Sequence, residues 1–125
     1  MIEKGLKGEM HLTVTEKNTA SALGSGLLPV FATPAMIAAM ENTCSASVQA
    51  YLEDGQTSVG TLVNVRHVRA SGIGATIKIE SELIDIDRRR LVFNVTAYDE
   101  KGIIGEGTHE RFIIESEKFL AKVQV

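Results

Sequence analysis

TPAMIAAMENTCSASVQAYLEDG, residues 33–55, decides the architecture of this chain. Thr33 is a helix-capping residue type and Pro34 is tolerated in a first turn, so the pair reads as a helix start. From Met36 to Leu52 most residues are good helix formers, and Asp54-Gly55 closes the segment. At about 100° per residue, Met36, Ile37, Met40, Cys44, Val48, Tyr51 and Leu52 fall on one broad stripe. A stripe of that width needs a sheet to lie on.

Downstream of Gly55 the apolar period changes to two, and a run of strands follows. SVGTLVNVRHVRA (58–70) reads as a strand with Val59, Val63, Val65 and His67 on one face. GATIKIESELIDI (74–86) puts Ile77, Ile79, Ser81 and Leu83 on one face and Lys78, Glu80 and Glu82 on the other. RLVFNVTAYD (90–99) follows an Asp87-Arg88-Arg89 turn, and Glu100-Lys101-Gly102 turns it back into IIGEGTHERFIIE (103–115). Upstream, LKGEMHLTVT (6–15) reads as a first strand. NTASALGSGLLPVF (18–31) has no sustained period and reads as a loop or lid with a short helical turn; the tail SEKFLAKVQV (116–125) fits a short helix or an edge strand. The sum is α+β, one long helix against a five-stranded antiparallel sheet. With no linker, repeat or low-complexity stretch, residues 1–125 are expected to form one domain.

Composition excludes several functions. A net charge of −3 with no basic block is the wrong sign for a phosphate backbone, and the absence of Trp leaves few stacking platforms, so no nucleic-acid partner is expected. The lone Cys44 cannot form an internal disulfide, and no zinc-type spacing is present. The N-terminus lacks the apolar run of a signal peptide, and no stretch reaches the roughly 18 apolar residues of a membrane span. The expectation is a cytoplasmic protein with no membrane partner.

A few residues sit badly in a bland core. On the helical wheel Glu41 falls about 100° from Met40, between Val48 and Leu52, at the border of the apolar stripe. Burying a carboxylate without partners is costly, so Glu41 either snorkels from the rim or has a task. Thr33 reads as a cap, yet its wheel position also lets it project toward the sheet. Thr33 and Glu41 are eight residues apart, on the same side of the helix but not touching. His67 shares a face with Val63 and Val65 and is either a hydrogen-bonded core residue or a proton carrier. His11 and His109 read as structural, and the three histidines have no metal-ligand spacing. Gly60 interrupts a β-branched strand, and Gly105 and Gly107 recur with period two, which marks a bulge or a close approach. Arg111 shares the face of Gly105, Gly107 and His109, where an ion pair is the plain reading. Cys44 reads as a small core residue.

FATPAMIAAMENTC, TSVGTLVNVRHVRAS followed by GIG, and LVFNVTAYDEKGIIGEGTHERFII together resemble the fluoroacetyl-CoA thioesterase-like branch of the hot-dog superfamily, from about Thr33 to Ile114. That family carries a Thr before the helix, a Glu eight residues later and a His in the next strand, which match Thr33, Glu41 and His67. Its Gly seven residues before the His matches Gly60, and the Arg of its final G-x-G-x-H-x-R strand matches Arg111. The resemblance implies a hot-dog homodimer with sites at the subunit interface, acting on a small acyl-CoA with no cofactor beyond the substrate's own CoA. Glu41 is then expected to be nucleophile or general base, assisted by Thr33 and His67, with Gly60 and Arg111 binding substrate. A non-catalytic acyl-CoA-binding or sensing module is the alternative. A hot-dog dehydratase fits less well, because its Asp/His pair is not found.

Overall fold

Five antiparallel strands hydrogen-bond in the order β1-β3-β4-β5-β2, where β1 is Lys7–Thr13, β2 Gln56–His67, β3 Thr76–Asp87, β4 Arg90–Asp99 and β5 Gly102–Glu115. This computed structural model describes residues 2–125. The strict alternation of β3 and β4 builds the inner face: Ile77, Ile79, Ser81 and Leu83 are buried, as are Leu91, Phe93, Val95 and Ala97. Lys78, Glu80 and Glu82 lie on the opposite, half-exposed face.

The long helix α2, Thr33–Gln49, lies on that inner face and buries Met36, Ala39, Met40, Thr43, Cys44 and Val48. One helix laid along a single antiparallel sheet is the hot-dog layout. The helix ends three residues before Leu52, at Gln49, so Tyr51 lies beyond it and is exposed. Ile37, Glu41 and Ser45 are only half-buried, because they form the flank of the helix nearest β2 rather than its underside.

The connection from β1 to α2 is ordered by its own bonds. A 3-10 turn at Glu16–Asn18 leads to α1, Ala20–Leu23, which Gly24 stops at φ 75°. The chain then returns so that the Phe31 N–H donates to the Ser71 carbonyl at 2.8 Å and the Ala32 N–H to the Asn18 carbonyl at 3.0 Å. Phe31 is buried, whereas Leu27 and Leu28 stay exposed. The tail resolves as a helix, α3, Ser116–Lys122. Among the described residues, no helix is long and apolar enough to cross a membrane.

One strand departs from simple alternation. In β2, Gly60 pairs with Arg111 but Leu62 pairs with Glu110, so Thr61 is an extra residue. A bulge of one residue moves every later side chain to the other face. Val59 therefore shares the outer face of Phe112, while Val63, Val65 and His67 point inward with His109, Gly107 and Gly105. The expected single face of Val59, Val63, Val65 and His67 is corrected on this point.

The two glycines of β5 make room. A β-carbon on Gly105 would run into the Met36 side chain. One on Gly107 would lie 2.6 Å from Val65 Cα and closer still to the Asn64 carbonyl oxygen. A methionine tip can move, but paired backbone cannot. Gly107→Ala is therefore expected to lower folding stability by about 3 kcal/mol, at the upper end of overpacking costs. Urea denaturation reads this directly, and an unchanged midpoint would contradict the packing.

Candidate active site

Two polar clusters lie along the β2 flank of α2. The first stands at the helix start. Thr33 is the first helical residue; Ala32 occupies the cap position, and no side chain caps the helix. The reading of Thr33 as a cap is thus corrected. Its hydroxyl instead meets His67 Nδ1 at 2.8 Å, because the last residue of β2 runs beside the first turn of α2. Phe31 abuts the His67 ring edge-on, with centroids 6.3 Å apart. His67 Nε2 is buried and makes no hydrogen bond. Burial lowers the His67 pKa, with the Arg69 backbone pulling partly the other way, so the ring favours its neutral form. A cavity of about 260 Å³ opens here, walled by Ala20, Val30, Phe31 and Val68.

The second cluster is centred on Arg111, which is 7% exposed. Its Nε donates to Ser58 Oγ and its Nη2 to the Ser58 carbonyl, each at 2.8 Å. Its Nη1 lies 3.2 Å from His109 Nε2 and 3.7 Å from Glu41 Oε2. His109 Nδ1 in turn lies 2.7 Å from the Leu62 carbonyl. Gly60 completes the group: a β-carbon there would sit 2.5 Å from Glu41 Oε2. Glu41 keeps 40% of its side chain exposed, so it faces both the cluster and solvent.

The structure therefore joins Thr33 to His67, and Glu41 to Gly60 and Arg111, but it does not join the two groups within one chain. Eight helical residues separate Thr33 from Glu41, a rise of about 12 Å. The plain reading of Arg111 as a surface or interface ion pair is sharpened: it pairs with Glu41, but as a buried guanidinium that also binds Ser58 and His109. Ser58 escaped sequence reasoning altogether, and His109 was given only a structural part. The available signal was spacing, since each stands two residues from a singled-out position on the same strand face. Cys44 is fully buried, and burial pushes its thiol up to about 12, which removes it as a nucleophile. Among the described residues, no group of three or more His, Cys, Asp or Glu is placed to hold a metal ion.

Chemically, a carboxylate, a buried cation and a glycine backbone face one another, and a hydroxyl–imidazole pair stands two turns away. Such a set can attack a carbonyl and shuttle a proton. Comparison with known proteins agrees with this class. Residues 14–117 match the family described as fluoroacetyl-CoA-specific thioesterase. A fluoroacetyl-CoA thioesterase of Streptantibioticus cattleyicolor is 44% identical over 114 residues, covering 91% of this chain and 82% of that protein. A solved fluoroacetyl-CoA thioesterase superposes with a TM-score of 0.93 at 36% identity, over 98% of this chain and 96% of that one. A threonine-to-serine variant in the same series was solved with acetyl-CoA. A hot-dog-like protein from Thermanaerovibrio acidaminovorans shares the fold, with a TM-score of 0.89 at 20% identity over 98% of this chain and 90% of that one.

The two inward histidines carry a consequence for stability. Burial lowers the pKa of both; at His109 the Arg111 charge also lowers it, against the Leu62 carbonyl and the charges of Glu41 and Glu110. In the unfolded chain each titrates near 6.5. Above that pH neither state binds these protons and full stability stands. As pH falls below it, the unfolded chain takes protons first, so stability drops until the folded pKa is reached. The unfolding free energy from urea denaturation is expected to fall from pH 7.5 to pH 5.5, by up to about 1.4 kcal/mol per pH unit for each histidine. A flat profile over that interval would contradict the burial of both rings.

Proposed function

The chain belongs to the fluoroacetyl-CoA-specific thioesterase family, and from that premise we propose that it hydrolyses a small acyl-CoA thioester to the free acid and CoA. The observation that carries this reading is the half-buried Glu41 carboxylate held against Gly60 and Arg111. In this reading Glu41 attacks the thioester carbonyl or draws a proton from a water that does so. The Gly60 backbone N–H receives the developing oxyanion, and Arg111 offsets negative charge at the carbonyl end of the substrate. Because the guanidinium is buried, it is suited to that end and not to the phosphates of CoA. His67, neutral at rest and bonded to Thr33, accepts a proton given up by the attacking water and passes it to the departing thiolate; where Glu41 itself attacks, water then hydrolyses the Glu41 anhydride to release the acid. The reaction needs water and no cofactor.

Glu41→Ala and Glu41→Gln are expected to lower turnover of short acyl-CoAs by 100-fold or more, the range of a lost acid–base group. Thiol release followed with a coloured disulfide reads this across an acyl panel. Wild-type rates in a folded Glu41 variant would overturn the assignment. Binding of acyl-CoA by the wild-type protein with no thiol release would put a sensing module in its place.

The site is completed by a second copy of the chain. β2 is an edge strand of 12 residues, Leu62 and Val63 are 44% and 41% exposed, and Arg66 is its one permanently charged side chain. Such an edge is poorly protected against pairing. Two β2 strands paired antiparallel about a two-fold axis would bring the His67 end of one beside the Gly60 end of the other. Thr33 and His67 of one subunit would then meet Glu41 of its partner. Mixing inactive Thr33→Ala and inactive Glu41→Ala proteins under subunit exchange should restore about a quarter of wild-type activity, since half the dimers carry one intact site. No recovery from a mixture shown to exchange would place each site within one chain.

A second reading rests on the 2.8 Å contact between Thr33 and His67. That pair has the geometry of a nucleophile and its base. Mass spectrometry of acyl-CoA-quenched protein separates the two, because the acyl group would be found on Thr33 instead of Glu41.

A further inference from the structure

His109 has no part in the chemistry above, yet it is bonded to Arg111 and to the β2 bulge beside Gly60. We propose that His109 is a positioning residue: as the neutral tautomer with its proton on Nδ1, it clamps the β2 bulge and the Arg111 guanidinium together and so sets where Glu41 faces Gly60. The inference rests on the reading of Glu41, Gly60 and Arg111 as the reacting end of the site.

The tautomer follows from the partners. Nδ1 lies 2.7 Å from the Leu62 carbonyl, which can only accept, so Nδ1 carries the proton. Nε2 lies 3.2 Å from Arg111 Nη1, which can only donate, so Nε2 offers its lone pair. The ring is 1% exposed and stacks on Phe93 at 6.3 Å and 28°, which leaves it little freedom to turn.

The placement gives this tautomer mechanical meaning. Ser58 and Leu62 stand on either side of the bulge at Gly60–Thr61. Arg111 holds the first through Ser58 Oγ and the Ser58 carbonyl, and His109 holds the second through the Leu62 carbonyl. Both side chains come from β5, two residues apart, and they are joined to each other. A bulge lacks regular ladder bonds, so these side-chain bonds substitute for them. Gly60 lies between, and a β-carbon on it would be 3.2 Å from His109 Cε1 and 3.4 Å from Arg111 Nη1. The clamp thus reaches the carboxylate through Arg111 and the glycine backbone through the bulge.

Acid should open it. A proton on Nε2 would turn that atom from acceptor to donor against Arg111 Nη1 and set two positive charges side by side. The groups around the ring are Glu41 from α2, Arg111 and Glu110 from β5, Phe93 from β4, and the Leu62 carbonyl and Val63 from β2. Only the two glutamates oppose the new charge, and Glu41 is already drawn toward Arg111.

Nitrogen NMR of the wild-type protein with labelled histidine tests the tautomer without any substitution. The expected pattern is a protonated Nδ1 and a bare Nε2 for the buried ring; the reverse pattern overturns the proposal. His109→Asn keeps a donor for the Leu62 carbonyl but offers Arg111 no ring nitrogen. In the folded variant kcat should fall roughly 10- to 100-fold with KM changed little, as for a misplaced reacting group. The acid limb due to His109 should vanish from the pH profile, and the Arg111 Nε–H signal should begin to exchange with solvent. A folded His109→Asn protein with wild-type kcat, acid limb and a protected Arg111 signal would show that the ring only packs. If the wild-type chain releases no thiol from any acyl-CoA, the functional reading falls, and the tautomer and Arg111 signals still decide the clamp.

Discussion

A guanidinium that is 7% exposed cannot be left without partners, and much of this molecule is arranged around Arg111. Its always-charged group is removed from water, and burial lowers its pKa, with Glu41 as the counter-charge. Desolvation of that size is offset only by good geometry. Three donors find Ser58 Oγ, the Ser58 carbonyl and His109 Nε2. The counter-charge remains at 3.7 Å, beyond a tight hydrogen bond and 40% open to solvent. The cation is therefore satisfied mainly by neutral acceptors, and the carboxylate is held near it without being consumed by it. That imbalance leaves the carboxylate open to solvent at the edge of the cluster.

Much of the fold was legible because alternation and helical period are local. Ile77, Ile79, Ser81 and Leu83, and Met36, Met40, Cys44 and Val48 of the helical stripe, are where the pattern puts them, while Ile37 turns to the flank. The failures have physical causes. Val59 fell on the wrong face because an extra residue at Thr61 costs nothing in composition yet inverts the strand. Thr33 looked like a cap because its residue type suits one, but the hydroxyl found a stronger use in a histidine 34 positions away. The site was half legible. Glu41 stood out by its place on the wheel, whereas Ser58 is an ordinary strand serine until the guanidinium across from it is known. The pairings among these residues all join distant parts of the chain, and a single sequence carries no direct record of such contacts.

The division of the site into two clusters follows from the same elements that make the fold. A straight helix separates residues 33 and 41 by about 12 Å, and no side chain bridges that span. An antiparallel edge with little charge to block pairing lies along the same flank. The fold thus presents both clusters along the flank of the helix that borders an unpaired sheet edge.

The inward glycines answer to different constraints. At Gly107 a β-carbon would strike the backbone of the neighbouring strand, which cannot yield, so packing alone excludes it. At Gly60 the nearest obstacle would be the tip of Glu41, a flexible side chain partly in solvent, but His109 Cε1 would follow at 3.2 Å, on a ring that its bonds and Phe93 hold in place. An alanine there would have to swing the carboxylate outward and press on the imidazole. Glycine at position 60 thus keeps both the carboxylate and the ring where they are, so packing and the placement of Glu41 set one requirement there.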